Sequence, residues 1–166
     1  MIQRIQSVFL FLLVLSMISI LFIDIWSKTD TTSGQTVTLT AFSIDTHFLN
    51  NEGEPTNTGS TQSQGAIAIG LLAIAAAVIA LYEIFQFKSR LTQMKLGLFN
   101  TLVLVALFGT TFYQANYVAN TMVASDVSGT YEAGFYMPVL ALLLNALSNR
   151  FIKRDEDLVR SVDRLR

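Results

Sequence analysis

The chain has 166 residues, of which 52% are hydrophobic and only 14% charged, and its mean hydropathy is +0.50. Soluble domains carry about 25% charged residues, so this composition indicates a membrane protein. The absence of cysteine excludes disulfides, thiolate metal sites and cysteine nucleophiles, and the net charge of -1 argues against a general nucleic-acid binder.

Four apolar stretches approach the length of about 20 residues that a helix needs to cross the hydrocarbon core of a bilayer. They run over residues 5–23, 65–82, 96–117 and 133–152. Because lipid offers the backbone no hydrogen bonds, each stretch is predicted to be a helix. The first is interpreted as a retained anchor rather than a cleaved signal peptide, because its apolar run is long. For the alanine-rich second, a soluble core helix is the alternative to a membrane span.

The loop between the first two spans, residues 24–64, contains an alternating segment. From Gln35 to Ile44, threonines on one side alternate with apolar residues on the other, which is typical of a strand. A strand needs a partner, and residues 46–49 and 131–136 are the candidates. We therefore predict a small external sheet. The remainder of the loop, residues 50–64, has almost nothing to bury and is predicted to be a flexible linker.

Lysine and arginine are distributed unevenly along the chain. If both ends are cytoplasmic, ten of the eleven basic residues lie on that side, and only Lys28 lies outside, together with seven of the twelve acidic residues. Cytoplasmic flanks of membrane spans carry an excess of lysine and arginine, so this orientation is predicted. Residues 1–152 then form the membrane part, with external loops 24–64 and 118–132, and residues 153–166 form a cytoplasmic tail.

The tail has the pattern of an amphipathic helix. It begins with three acids at Asp155 and ends with arginines, the arrangement that the helix dipole favours. Leu158, Val162 and Leu165 form one apolar stripe. Basic groups next to a membrane are attracted to anionic lipid by about 1 kcal/mol each. The residues predicted to contact a partner or lipid are Arg150, Lys153, Arg154, Arg160, Arg164 and Arg166.

Small and polar residues recur within the spans at spacings of three and four. This period of 3.5 residues is typical of left-handed helix packing, and small side chains let helices approach closely in lipid. The residues predicted to pack helix against helix are Gly70, Ala73, Ala77, Ala141, Asn145 and Ser148. The fold class is thus predicted as an all-α membrane protein: a four-helix transmembrane bundle with a small external β element and a C-terminal cytoplasmic amphipathic helix.

Sequence patterns of catalysis are missing. The single histidine, His47, has no second histidine or cysteine to form an ordinary metal site, and no phosphate-binding loop or nucleophile elbow occurs. Glu83, near the cytoplasmic end of the second span, is predicted to form an interfacial ion pair with Lys88, Arg90 or Arg150. We expect no enzymatic activity, no cofactor and no metal.

The two ends of the chain resemble a known family. The opening MIQRIQ runs directly into an apolar span, and residues 149–166 read NRFIKRDEDLVRSVDRLR. Both resemble a family of small bacterial four-span membrane proteins that is catalogued as a domain of unknown function. The resemblance covers the whole chain in layout. It implies a location in the bacterial inner membrane, and it implies no activity and no functional residues.

Together these features predict a non-enzymatic accessory, scaffold or assembly subunit whose tail contacts a membrane or cytosolic protein partner, or the membrane surface, and no nucleic acid. The alternative is a small transporter, channel or lipid-handling protein that uses polar residues of the third and fourth spans, such as Gln114 and Asn145. A membrane-embedded enzyme is a third hypothesis, for which only Asp24, His47 and Glu83 are candidates.

Overall fold

The computed structural model describes residues 3–30, 34–49, 55–56, 63–86, 89–122 and 128–163. This part of the chain is mostly helical and adds a small antiparallel sheet, as the sequence predicts. The helices are α1 (Gln3–Ser19), α2 (Ile67–Phe85), α3 (Arg90–Tyr113) and α4 (Ala133–Asp163).

Three stretches of helix in the described residues are long and apolar enough to cross a membrane. They are Ile67–Phe85, Leu91–Thr121 and Ala133–Asp157. The apolar part of α1, Ile5–Ser19, is shorter than the about 20 residues that a span requires. The predicted continuation of this first helix to residue 23 is wrong. The Ile20 amide still donates four residues back, whereas the amides of Leu21 and Phe22 donate three residues back, which tightens the main chain into a turn.

Each helix packs against two others. α1 contacts α2 and α4, and α3 also contacts α2 and α4. The side chains between them are mostly apolar and fully buried, and on α1 and α3 they are large: Leu10, Leu13, Met17, Leu104 and Leu107. On α2 the buried face is built from small residues, so the neighbouring helices approach it closely: Ala73, Ala76, Ala77 and Ala80.

The outward faces of the helices are apolar as well. Leu71 on α2, Leu102 on α3 and Leu143 on α4 are 60%, 68% and 60% exposed. Soluble monomers rarely expose large contiguous apolar surfaces. Helices that are apolar both toward their neighbours and away from them are typical of a lipid environment.

The sheet is built mainly from the segment between α1 and α2. Its strands are β1 (Trp26–Asp30), β2 (Gln35–Leu39), β3 (Ser43–Leu49), β4 (Pro55–Thr56), β5 (Ser63–Gly65) and β6 (Thr130–Tyr131). The spatial order is β4-β3-β2-β1-β6, and β5 also pairs with β3. All pairs are antiparallel.

The predicted strand from Gln35 to Ile44 is interrupted. It ends at Leu39, and a turn follows in which the Thr40 hydroxyl donates to the carbonyl oxygen of Ser43 (3.0 Å) and accepts from the Ser43 amide (3.1 Å). The chain then returns as β3, so residues 46–48 pair with β2 as predicted, whereas Leu49 pairs with β4.

The other expectations for the sheet are only partly met. Within the aromatic stretch 131–136, Tyr131 alone enters the sheet, and it pairs with β1 instead of β2. Residues 50–64, predicted to be a flexible linker, contribute β4 and part of β5, and the rest of that segment lies outside the described residues. β1 itself is absent from the predicted elements.

Main-chain hydrogen bonds join the sheet to the first turn of α2. No side chain caps this helix. Instead, the amide of Ala66 donates to the carbonyl oxygen of Phe42, and the amide of Gly70 donates to that of Ala41, both at 2.8 Å. The first four amides of a helix have no partner within the helix. The turn between β2 and β3 therefore supplies acceptors that side chains usually provide.

The two residues just before β1 serve the start of α4 in the same way. The amide of Gly134 donates to the carbonyl oxygen of Asp24 at 3.1 Å, and the amide of Glu132 donates to that of Ile25 at 3.0 Å. At Gly134 the two segments are so close that a Cβ atom would lie 2.7 Å from the Asp24 oxygen. This approach requires glycine.

The end of α3 is held by a buried lysine. After Tyr113 the helix loosens into a π-helical turn, Gln114–Val118, and then tightens into a 3-10 turn, Ala119–Thr121. The ammonium group of Lys28, which is 4% exposed, donates to the carbonyl oxygen (3.3 Å) and to Oδ1 (3.0 Å) of Asn120. A positive charge at a helix C-terminus is favourable, so β1 stabilises this end too.

Replacing Gly134 by alanine is expected to lower the free energy of unfolding by about 1–3 kcal/mol, because the added methyl group displaces the Asp24 carbonyl. Gly109→Ala is the matched control, since a Cβ at Gly109 meets nothing within 4 Å. Thermal unfolding in detergent, followed by the fluorescence of the single tryptophan, measures both. Equal stability of the two variants would contradict the close contact.

Candidate functional site

Buried polar side chains cross the helices in the half that lies away from the sheet. We call Gln6, Glu83, Asn100, Asn145 and Ser148 the polar layer. Gln6 is 4% exposed and the other four are fully buried. All four helices contribute, because Gln6 lies near the start of α1, Glu83 near the end of α2, Asn100 on α3 and the last two on α4. Buried polar groups in membrane helices mark either helix contacts or functional sites.

Asn145 joins α4 to α3. Its Nδ2 donates to the carbonyl oxygen of Gly97 and to Oγ1 of Thr101, both at 2.9 Å. The Thr101 hydroxyl donates to the same Gly97 oxygen at 2.9 Å. One turn further along α4, the side chain of Asn149 lies directly against Gly97, where a Cβ atom would overlap it. Glycine at this position lets the two helices meet.

Glu83 lies where α2 meets α3. The Nε2 of Gln93 donates to its main-chain oxygen at 3.3 Å. Neither carboxylate oxygen has a hydrogen-bond partner among the described residues. The side chain is fully buried, close to the end of α2 as predicted. Of the three predicted partners, Arg150 is exposed and forms no ion pair with it, and Lys88 and the Arg90 side chain lie outside the described part.

The contact between α1 and α4 is partly polar and partly aromatic. The Ser16 hydroxyl donates to the main-chain oxygen of Met137 at 3.1 Å. Nearer to the two chain ends, the rings of Phe9 and Phe151 stack with centroids 5.5 Å apart and an interplanar angle of 12°. This stack places the beginning of the chain beside the start of the charged tail.

The six residues predicted to pack helix against helix are all buried. They are Gly70, Ala73, Ala77, Ala141, Asn145 and Ser148. Gly70 has an unexpected neighbour, since a Cβ atom there would overlap the ring of Phe42 from the turn between β2 and β3. Glycine at this position therefore leaves room for the Phe42 ring between α2 and the sheet.

Three of the six basic residues predicted for partner or lipid contact are described with their side chains. Arg150, Lys153 and Arg154 are exposed, and their spacing of three and four places them on one face of α4. That face continues the exposed apolar face of Leu143 and Leu147. Arg160 lies in α4 but its side chain is outside the description, as are Arg164 and Arg166.

The structure does not bring the three enzymatic candidates together. Asp24 precedes β1 and His47 lies in β3, whereas Glu83 lies 16 residues beyond the start of α2, about 24 Å along the helix axis. Among the described residues no group of three or more histidines and acidic residues is arranged to hold a metal ion.

Sequence analysis missed the inward face of β1. Trp26, Lys28 and Asp30 alternate with more exposed neighbours and are buried. The Trp26 ring lies against Gly129, where a Cβ would overlap it. The segment reads WSKTD, so an alternation of apolar and polar residues does not reveal it.

Asn145→Ala is expected to lower the free energy of unfolding by about 1–2 kcal/mol, because hydrogen bonds between membrane helices contribute about 0.6 kcal/mol each and a small void is added. Thr110→Ala is the control, since the Thr110 hydroxyl donates to the main-chain oxygen of Ala106 in its own helix, in an exposed position. Unfolding in detergent measures the difference. A larger loss in the control would contradict the role of Asn145 between helices.

Comparison with known proteins gives a family and no activity. No curated protein matches the chain. Residues 2–165 match the family described as Domain of unknown function (DUF4293), so the match includes all four helices and the sheet. This confirms the resemblance to a family of that kind. The chain therefore belongs to the family Domain of unknown function (DUF4293).

Proposed function

We propose that this protein is a multi-pass protein of the bacterial inner membrane, with both ends in the cytoplasm, that acts as a non-enzymatic accessory, scaffold or assembly subunit. In this proposal the four helices form a transmembrane bundle and the sheet lies on the external side. The tail of α4 presents its charged face to a protein partner at the cytoplasmic surface.

The exposed apolar faces and the position of the charges support this placement. Arg150, Lys153 and Arg154 lie at the end of the molecule that is remote from the sheet, where cytoplasmic residues are expected to be basic. The short helix α1 is about 25 Å long, against about 30 Å for the hydrocarbon core. The apolar turn at residues 20–23 and local thinning of the bilayer accommodate the difference.

The observation that carries the scaffold role is the continuity of α4. This helix runs without a break over 31 residues, about 46 Å, which exceeds the thickness of the hydrocarbon core by about 16 Å. Its last part is therefore a stiff extension of a membrane span. A partner that binds a preformed helix does not have to order it, and this increases affinity.

The transport alternative rests on the polar layer. Buried side chains with unsatisfied polar atoms on α3 and α4 favour it, Asn100 and Asn145 above all. Gln114, the other residue predicted for this role, lies in the π-helical turn beside the sheet, 14 residues from Asn100. Gln114 and Asn100 are thus about 20 Å apart along the helix axis.

Removing Asp155 to Arg166 is expected to abolish the recovery of specific partners when the protein is isolated from cross-linked native membranes, because the tail supplies the contact surface. Mass spectrometry compares the co-purifying proteins with those of the full chain. A deletion of residues 57–62 in the external loop is the control and is expected to keep them. Recovery of the same partners without the tail would contradict the scaffold role.

Single cysteines test the orientation, since the chain has none of its own. Thr29→Cys, exposed in β1, is expected to react with a membrane-impermeant maleimide in spheroplasts. Lys153→Cys, exposed at the opposite end, is expected to react only after the membrane is permeabilised. The reverse pattern of labelling would overturn the proposed topology.

A further inference from the structure

We propose that the polar layer binds one monovalent alkali cation, with Glu83 as its charged ligand. This site is independent of the scaffold role, which rests on the tail. It is motivated by the Glu83 carboxylate, which is fully buried on α2 without a hydrogen-bond partner in the described part of the chain. An isolated charge in such surroundings is costly unless an opposite charge compensates it or a proton neutralises it.

The chemistry of the surrounding atoms points to a cation. In the described residues of the helices near Glu83, oxygen acceptors without a partner outnumber the nitrogen donors. The acceptors are Oε1 and Oε2 of Glu83 and the Oδ1 atoms of Asn100, Asn145 and Asn149, the donors are Nε2 of Gln6 and Nδ2 of Asn100, and the Ser148 hydroxyl serves as either. A set rich in oxygen is the ligand set of hard cations.

The hydrogen bonds of Asn145 fix which of its atoms is available. The main-chain oxygen of Gly97 only accepts, so the amide nitrogen of Asn145 must face it. The Oδ1 atom of Asn145 therefore points away from Gly97 and remains buried without a partner in the described residues. An acceptor held in this way is preorganised for a ligand.

Small residues lie beside the carboxylate. Ala76 and Ala80 are fully buried and share the face of α2 that carries Glu83, since they precede it by seven and three residues. Side chains of a helix lean toward its N-terminus, so the Glu83 carboxyl leans toward Ala80 and, on antiparallel α3, Asn100 leans toward Glu83. These small residues lie between the helices rather than at the surface.

Nearby basic groups with described side chains do not compensate the charge. Lys95 on α3 and Arg150 and Lys153 on α4 are exposed on the outer faces of their helices. One carboxylate with neutral amide and hydroxyl oxygens balances one positive charge. Divalent ions are usually held by more than one carboxylate, and no acidic cluster suited to a metal ion occurs in the described residues.

The test uses the full-length protein in detergent at fixed pH and ionic strength. Thermal unfolding is measured in sodium chloride, in potassium chloride and in choline chloride, whose cation is too large for the site. An alkali cation at about 100 times its Kd is expected to raise Tm by roughly 5–10 °C over choline. The two alkali salts show which ion is preferred.

Variants locate the effect. Glu83→Gln is expected to remove the difference between the salts, and Asp157→Asn, at an exposed position of α4, is expected to retain it. Bound radioactive sodium or rubidium, counted per wild-type chain, measures occupancy without unfolding. Equal Tm of the wild type in all three salts would overturn the proposal. The proposal would also be overturned if Glu83→Gln kept the difference in Tm between the salts. It would be overturned equally if this variant lowered Tm by the same amount in every salt, as loss of an arginine partner would.

Discussion

Main-chain polar groups at the ends of helices need hydrogen-bond partners, and the architecture of this protein depends on which residues supply those partners. α2 begins at the sheet without a side-chain cap, α4 begins there too, and carbonyl oxygens of the sheet segments accept from amides at both helix starts. The same sheet contributes Lys28 to the end of α3. A small sheet gains stability by packing against helices, so the helices and the sheet stabilise each other at one shared boundary.

The sequence predicts the helices well, because long apolar runs leave the backbone no alternative in lipid. It also predicts the β2 and β3 pairing, since alternation defines a face. Periodicity identifies faces without naming their neighbours. It therefore does not show that Gly70 contacts Phe42 or that Glu83 is fully buried. Nor does it show that the polar strand β1 joins the sheet to the helices. These features depend on contacts between residues that are distant in the chain.

The candidate functional features lie in the half of the molecule remote from the sheet. The polar layer, the basic face of α4 and the aromatic stack of Phe9 on Phe151 follow one another along the same helices. Asn145 connects them physically, because it joins α3 to the helix that carries the tail. An occupant of the polar layer would therefore bear on the direction of the last part of α4.

The attachment of α4 has a consequence for biogenesis. Asp24 and β1 follow the first helix, but their partners, Gly134 and β6, are synthesised more than 100 residues later. Until the fourth helix packs against the first, β1 has one open edge and the Asp24 carbonyl has no helix to cap. Docking of the last helix thus closes the sheet, and a chain that stalls before it exposes an open strand edge to proteases.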